Sequence, residues 1–228
     1  MPHKHFDERL ADLERRLLAM SHKVENLVGD SVAMAMGSGD STIDEIYAAD
    51  DAIDQEEVGI EEGVIELLAL HQPMASDLRL LVTMLKVNTD LERIGDHAVN
   101  IAEAAIRLSE STERPPRPPE LDEMSRIARQ MLRGSLDAMV HRSDEEAAAV
   151  MAEDDRVDGL HESVFRVMLT HMLEGSLTAC LQVILISRNI ERIADLATNI
   201  SEDVIFMVRG TTVRHGGAEA VQESVSGD

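Results

Sequence analysis

Residues Asp90 to Glu103 read DLERIGDHAVNIAE, and residues Asn189 to Glu202 read NIERIADLATNISE. The same pattern returns at an offset of 99 residues. Around it runs an apolar seam: Leu80, Met84, Val87, Leu91, Ile94, Ala98, Ile101, Ala105 and Leu108 follow at spacings of four and three. The second copy repeats the seam at Ala179, Val183, Ile186, Ile190, Ile193, Ala197, Ile200, Val204 and Met207. Such spacing predicts long helices that bury a narrow stripe against neighbouring helices, as in a coiled-coil-like bundle.

A second landmark repeats upstream. Ser31 to Asp54 (SVAMAMGSGDSTIDEIYAADDAID) and Ser135 to Asp158 (SLDAMVHRSDEEAAAVMAEDDRVD) share A-x-D-D-x-x-D at an offset of 104. Between the copies lies Glu113-Arg114-Pro115-Pro116-Arg117-Pro118-Pro119, where proline after proline excludes helix and makes a stiff connector. Two landmarks in one order on either side of a proline segment define an internal duplication. The expected fold is therefore all-α: two tandem three-helix bundles, six helices in all. The first bundle takes residues 1–112, the connector 113–119, the second bundle 120–209 and a loose Gly/Ser-rich tail 210–228. Helices are expected near 6–36, 40–70 and 73–110, then 120–141, 144–173 and 176–209. Asp40-Ser41 with Asp44, and Ser143 with Glu146, have the spacing of capping boxes, and Pro73 suits a first helical turn.

Composition narrows the function. The 228 residues carry 44 Asp+Glu against 21 Lys+Arg, a net charge of −23, so direct binding of nucleic acid is not expected. Four aromatic residues (Phe6, Tyr47, Phe165 and Phe206) are too few for a typical β protein. No window approaches the ~20 apolar residues of a bilayer span, and MPHKHFDERLADLERR lacks a signal-peptide core. The single Cys180 sits among apolar residues, where burial is the default, and fits a reducing cytoplasm.

Much of the acidity is a solvated surface, but eight carboxylates recur as matched pairs. Glu92-x-x-x-Asp96 and Glu191-x-x-x-Asp195 each have an asparagine four residues on, Asn100 and Asn199. With Glu103 and Glu202 they form a stripe on the outer side of the helix, away from the seam. The second helices add Asp50-x-x-x-Asp54 and Asp154-x-x-x-Asp158. Like charges four apart repel on a helix. If second and third helices are adjacent, two pairs converge into an oxygen-rich cluster suited to Mg²⁺, Ca²⁺, Mn²⁺ or iron. His97, Arg93 and Arg192 flank these motifs. His97 reads as a surface histidine in preference to a metal ligand, and the arginines either meet partners or offset local charge. No HExxH, nucleophile triad or phosphate-cradling glycine loop occurs, and Asp158-x-x-His161 is the nearest approach to a di-iron ligand pair.

The runs HQPMASDLRLLVTMLKVNTDLERIGDHAVNIAE and RNIERIADLATNISEDVIFMVRG resemble the PhoU family of phosphate-uptake regulators over about residues 6 to 210. That resemblance implies multinuclear clusters of iron, or of Zn, Mg, Mn or Ca, at the surface. Asp50, Asp54, Glu92 and Asp96 would serve one cluster and Asp154, Asp158, Glu191 and Asp195 the other, with Asn100 and Asn199 extending the set. Ala194-Asp195-Leu196 stands where the family pattern has G-D-H, so equal affinity in the two halves is in doubt. The resemblance further implies a cytoplasmic negative regulator rather than an enzyme. It would link the phosphate ABC transporter ATPase to a phosphate-sensing histidine kinase, act as a homodimer or larger oligomer, and meet the membrane only through these partners. A carboxylate-bridged oxidase and a metal-storage or structural scaffold are the rival readings. The first would hold its ligands inside a four-helix bundle rather than on an outer stripe.

Overall fold

The sequence periodicities translate into helices along almost the whole chain. The computed structural model describes residues 2–112, 115–173 and 177–211, and no strand occurs among them. The helices are α1 (Pro2–Ala35), α2 (Ile43–His71), α3 (Ser76–Glu110), α4 (Pro119–His141), α5 (Asp144–Met151), α6 (Asp154–Met172) and α7 (Leu177–Arg209). The expected helix over 144–173 is divided at Ala152–Glu153, where the Glu153 N–H bonds Val150 O at 3.1 Å in a tighter three-residue turn. Glu113 and Arg114 of the connector and most of the expected tail lie outside the described residues.

Two helix starts differ from expectation. Thr42, not Ser41, caps α2: its Oγ1 accepts the Glu45 N–H at 3.3 Å, while the Glu45 carboxylate accepts the Thr42 N–H at 2.8 Å. Thr-x-x-Glu closes the box because glutamate reaches back across the turn. Pro73 stays outside α3. The residue before a proline avoids the right-handed helical region, and Gln72 turns left-handed with φ 46° and ψ 58°, ending α2. Ser143 does accept the Glu146 N–H at 3.2 Å, as its spacing predicts. The connector is tied down where Arg117 donates to Met36 O at the end of α1 (2.7 Å), and Pro119 occupies the first turn of α4.

Every seam residue of α7 is buried, as is every seam residue of α3 except half-buried Leu108. Burial also extends beyond the seam, to Leu81, Thr83, Asn88, Ala102 and Ala104 on α3 and to Leu196, Ser201, Asp203 and Ile205 on α7. Asn88 is covered within its own half, where its amide donates to Glu57 O of α2 at 2.9 Å, but Thr83 and Asp203 are covered by a helix pair that the narrow-stripe reading does not contain. α3 and α7 pack on each other more extensively than any other two helices, and each also meets the other helices of its own half. Arg79 bonds Met207 O, Thr83 bonds Asp203 O and His97 pairs with Asn189, so the two run antiparallel. α1 and α4 make a lighter second contact. The first half, with three helices, and the second, with four because its middle helix is split into α5 and α6, are thus fused along their last helices as well as joined by the proline connector.

An ion pair crosses the α3–α7 interface. Lys86 Nζ lies 2.7 Å from Asp203 Oδ1, whose side chain is 3% exposed, and the ammonium also sits over the Phe206 ring. A hydrogen bond to a charged group contributes more than a neutral one. Lys86→Met should therefore lower unfolding stability by about 2 kcal/mol, measured by urea titration. A loss no larger than that of an exposed lysine variant would refute this role.

Candidate functional site

The packing of α2 on α3, and of α6 on α7, brings the acidic motifs of each half to one edge. They do not stand on a fully outward stripe: Asp50, Glu92, Asp154, Glu191 and Asp195 are half-buried, while Asp54, Asp96 and Asp158 are exposed.

In the first half, Asp50 faces α3 at Gly95. A Cβ added there would lie 2.9 Å from Asp50 Oδ1, so the glycine makes room for the carboxylate. That oxygen is buried and has no hydrogen-bond partner. Burial first, then the nearby charges of Asp54, Asp96 and Asp51, push the Asp50 carboxyl up to about 6. Asp54 and Glu92 are also raised, by burial and by mutual repulsion in which Asp96 is the largest charged neighbour. These four acids therefore feel one another across two helices. Asn100 is exposed on the same helix one turn on from Asp96. Glu103, two turns on, is occupied by Tyr47 (3.0 Å) and Arg107 (2.6 Å).

The second half is built differently. Asp158, Glu191 and Asp195 each present an oxygen within 4.8 Å of the others. Asp154 sits in the first turn of α6 and accepts from Thr198 Oγ1 at 3.1 Å. Thr198 is the counterpart of Val99, which has no donor to offer Asp50. Arg192 lies 2.7 Å from Asp195 and 3.8 Å from Glu191, whereas its counterpart Arg93 turns to Asp90 at 3.5 Å. Both arginines offset local charge, but only Arg192 does so inside a carboxylate cluster. Asp154 and Asp195 are still raised, chiefly by burial. Half-buried Asn199 lies one turn beyond Asp195.

The donor set fits a hard cation. All donors are carboxylate oxygens, the first cluster contains a buried oxygen without a proton donor, and the second holds three oxygens at chelating separation. His97 points elsewhere, its Nδ1 lying 2.9 Å from Asn189 Oδ1 across the α3–α7 interface. Its counterpart Leu196 is 3% exposed and belongs to the core. His161 meets Ser187 Oγ at 3.1 Å rather than a second carboxylate ligand. Cys180 is fully buried. The roles of Gly95 and Thr198 were not predicted from sequence, whereas charge offset was one of the two readings of Arg192; comparing the two copies column by column is the signal that exposes the Val99/Thr198 difference.

Fold and site together define a class: a duplicated, all-helical protein bearing a carboxylate cluster on each copy. The comparisons with known proteins are specific. The PhoU domain model matches residues 17–105 and again residues 121–204, one match per half. The chain belongs to the PhoU family. The phosphate-specific transport system accessory protein PhoU homolog of Pseudomonas putida is 38% identical over 97% of this chain and 88% of its own length. The crystal structure of PhoU from Pseudomonas aeruginosa has a TM-score of 0.86 at 36% identity, covering 90% of this chain and all of that one. The phosphate transport system regulatory protein PhoU from Streptococcus pneumoniae has a TM-score of 0.83 at 28% identity, covering 91% of this chain and 99% of that one. These relatives are named accessory and regulatory proteins, in line with the expectation of a non-enzyme.

The raised Asp50 carboxyl has a stability consequence. Its folded-state value of about 6 lies above its ordinary 3.8. It therefore favours the folded state at low pH, and that contribution is lost as pH rises towards and through 6. With a chelator present, Asp50→Asn should gain stability over the parent between pH 5 and 7, then hold a constant margin at higher pH. Urea unfolding at several pH values measures this; a margin that stays flat from pH 5 upward would refute the placement of Asp50.

Proposed function

We propose that this protein is the accessory regulator of a phosphate transport system and restrains both phosphate uptake and the phosphate-starvation response when phosphate is plentiful. The observation that carries the reading is likeness over nearly the full chain, at 32–38% identity, to proteins named phosphate-specific transport system accessory protein PhoU or its homolog. In this reading the protein is cytoplasmic and acts as an adaptor between the transporter ATPase and a phosphate-sensing histidine kinase. No described helix is long and apolar enough to cross a membrane, which suits attachment through partners. Exposed Phe165 and Leu169 on α6 and Leu173 just beyond its end, with Leu177, Leu181 and Leu185 on α7, support a docking role, because exposed apolar clusters mark interaction surfaces. The same exposure supports self-association as a dimer or larger oligomer.

Metal clusters belong to this proposal. Asp50, Asp54, Glu92 and Asp96 would hold one, and Asp158, Glu191 and Asp195 the other, with Asp154, Asn100 and Asn199 at the margins. A bound cation, whether iron, Zn, Mg, Mn or Ca, would relieve the carboxylate repulsion and fix the charge of a docking face. Metal analysis of tag-free protein should show loss on changing Asp96 and Asp195 to Ala together; unchanged content would exclude both clusters. Gly95→Ala should weaken the first site selectively, by pressing a methyl group against Asp50 Oδ1.

Deleting the gene tests the regulatory role. Expression of a phosphate-starvation reporter should rise in phosphate-rich medium, and uptake should increase. A silent reporter with unchanged uptake would overturn the reading and favour the storage or scaffold alternative.

A further inference from the structure

One groove of this acidic protein gathers three arginines. It measures about 610 Å³ and runs between α1 and α4. Its floor is apolar (Val28, Val32 and Leu132), and α4 lines it with Arg126, Arg129 and Arg133. Spacings of three and four place these arginines on one face of the helix. At the 104-residue offset their counterparts on α1 are His22, Glu25 and Gly29, so the guanidinium row belongs to the second copy alone. Gly29 has a visible use: Arg129 Nη2 lies 3.3 Å from where a Cβ would stand, so the guanidinium rests directly against α1.

Several arginines outside the groove are closely matched by acids, as in Arg16–Glu56, Arg107–Glu103, Arg156–Glu123 and Arg192–Asp195. In the groove the matching is weaker. Asp122 is taken by Arg117, and Glu25 faces His22 at 3.3 Å. Arg133 reaches Glu25 only at 4.0 Å, and Arg126 donates to Gln130 Oε1 at 2.9 Å. Among the described residues, Arg126 and Arg129 have no carboxylate at ion-pair distance.

We infer that the α1–α4 groove binds a phosphate group through Arg126, Arg129 and Arg133. Guanidinium forks pair bidentately with oxyanions and stay charged at every physiological pH. A row of three matches the several oxygens and double charge of phosphate better than the single charge of one carboxylate. The acidic remainder of the surface does not forbid this. Its field is screened over about 8 Å at physiological ionic strength, whereas the groove acts at hydrogen-bond distance. The bound group is either free phosphate or the phosphate end of a larger molecule such as a nucleotide. The inference concerns binding alone and stands whether or not the chain regulates uptake.

Calorimetric titration of the full chain, with EDTA present to exclude metal bridging, tests it with three ligands: inorganic phosphate, diphosphate and ATP. Saturable binding is expected in at least one arm. Binding of inorganic phosphate identifies the free anion as ligand, and binding of ATP or diphosphate alone identifies a larger phosphate carrier. Changing Arg129 and Arg133 together to Gln should weaken binding about tenfold or more. Arg166→Gln on α6 and Asp96→Ala on α3 should leave it unchanged. No saturable binding in any arm overturns the inference, as does binding indifferent to the Arg129/Arg133 pair or lost with Asp96→Ala. If the double variant fails to fold by circular dichroism, NMR of the parent decides. The Nε–H signals of Arg126, Arg129 and Arg133 must then shift on titration, and shifts confined to other arginines refute the site.

Discussion

The antiparallel packing of α3 on α7 is the constraint from which the rest of the structure follows. Each of these helices carries a seam that faces its own half and a second buried face that meets its twin. A helix buried on two sides has little perimeter left for charge. The acids of the repeated motif therefore fall on the remaining edge, beside α2 in one half and beside α6 in the other. That edge is neither core nor open surface. Its half-burial raises Asp50, Glu92, Asp154 and Asp195, whereas a fully solvated acidic face would leave such groups near their ordinary values. The electrostatic character of the site is thus a by-product of how the two copies dock.

The duplication and its helical class were legible because they rest on local periodicity. The spacing of Leu80 through Leu108 specifies a helix whatever it packs against. The docking of the copies was not legible. Thr83 on α3 and Asp203 on α7 are buried because each is covered by the other helix, and both are polar. A polar residue on the far side of a seam reads as solvent-facing until its cover is known. The break at Ala152–Glu153 was equally hidden, since neither proline nor glycine marks it. The eight carboxylates were legible as matched pairs, but not their grouping. Asp154 departs from its own cluster because Thr198 offers it a hydroxyl, a contact between residues 44 apart in sequence.

Duplication followed by divergence accounts for the inequality of the two sites. Three substitutions between copies act in the same direction. Gly95 admits Asp50 close to α3, where Ala194 supplies a methyl group instead; Val99 offers no donor, where Thr198 does; Arg93 turns away, where Arg192 turns in. The first cluster is left with uncompensated negative charge and a buried lone oxygen. The second is partly neutralised by groups the protein itself provides. A cation therefore has more repulsion to relieve in the first half, and more oxygens already gathered at chelating distance in the second. Charge density favours one copy and preorganisation the other.

The same divergence acts at the α1–α4 groove with the opposite sign. α1 and α4 occupy equivalent places in their halves, yet α4 carries arginines where α1 carries histidine, glutamate and glycine. Their contact is light, so the side chains meet across a groove instead of interdigitating into a core. Tight packing at that place would desolvate the guanidinium row without partners, an arrangement far costlier than leaving it open to water. An open groove keeps the charges solvated and accessible. The α3–α7 contact can be tight because its polar groups are matched across it, as Lys86 with Asp203 and His97 with Asn189 show. The two inter-copy contacts divide the work: one fixes the relative position of the halves, and the other is left open where, among the described residues, Arg126 and Arg129 have no carboxylate partner.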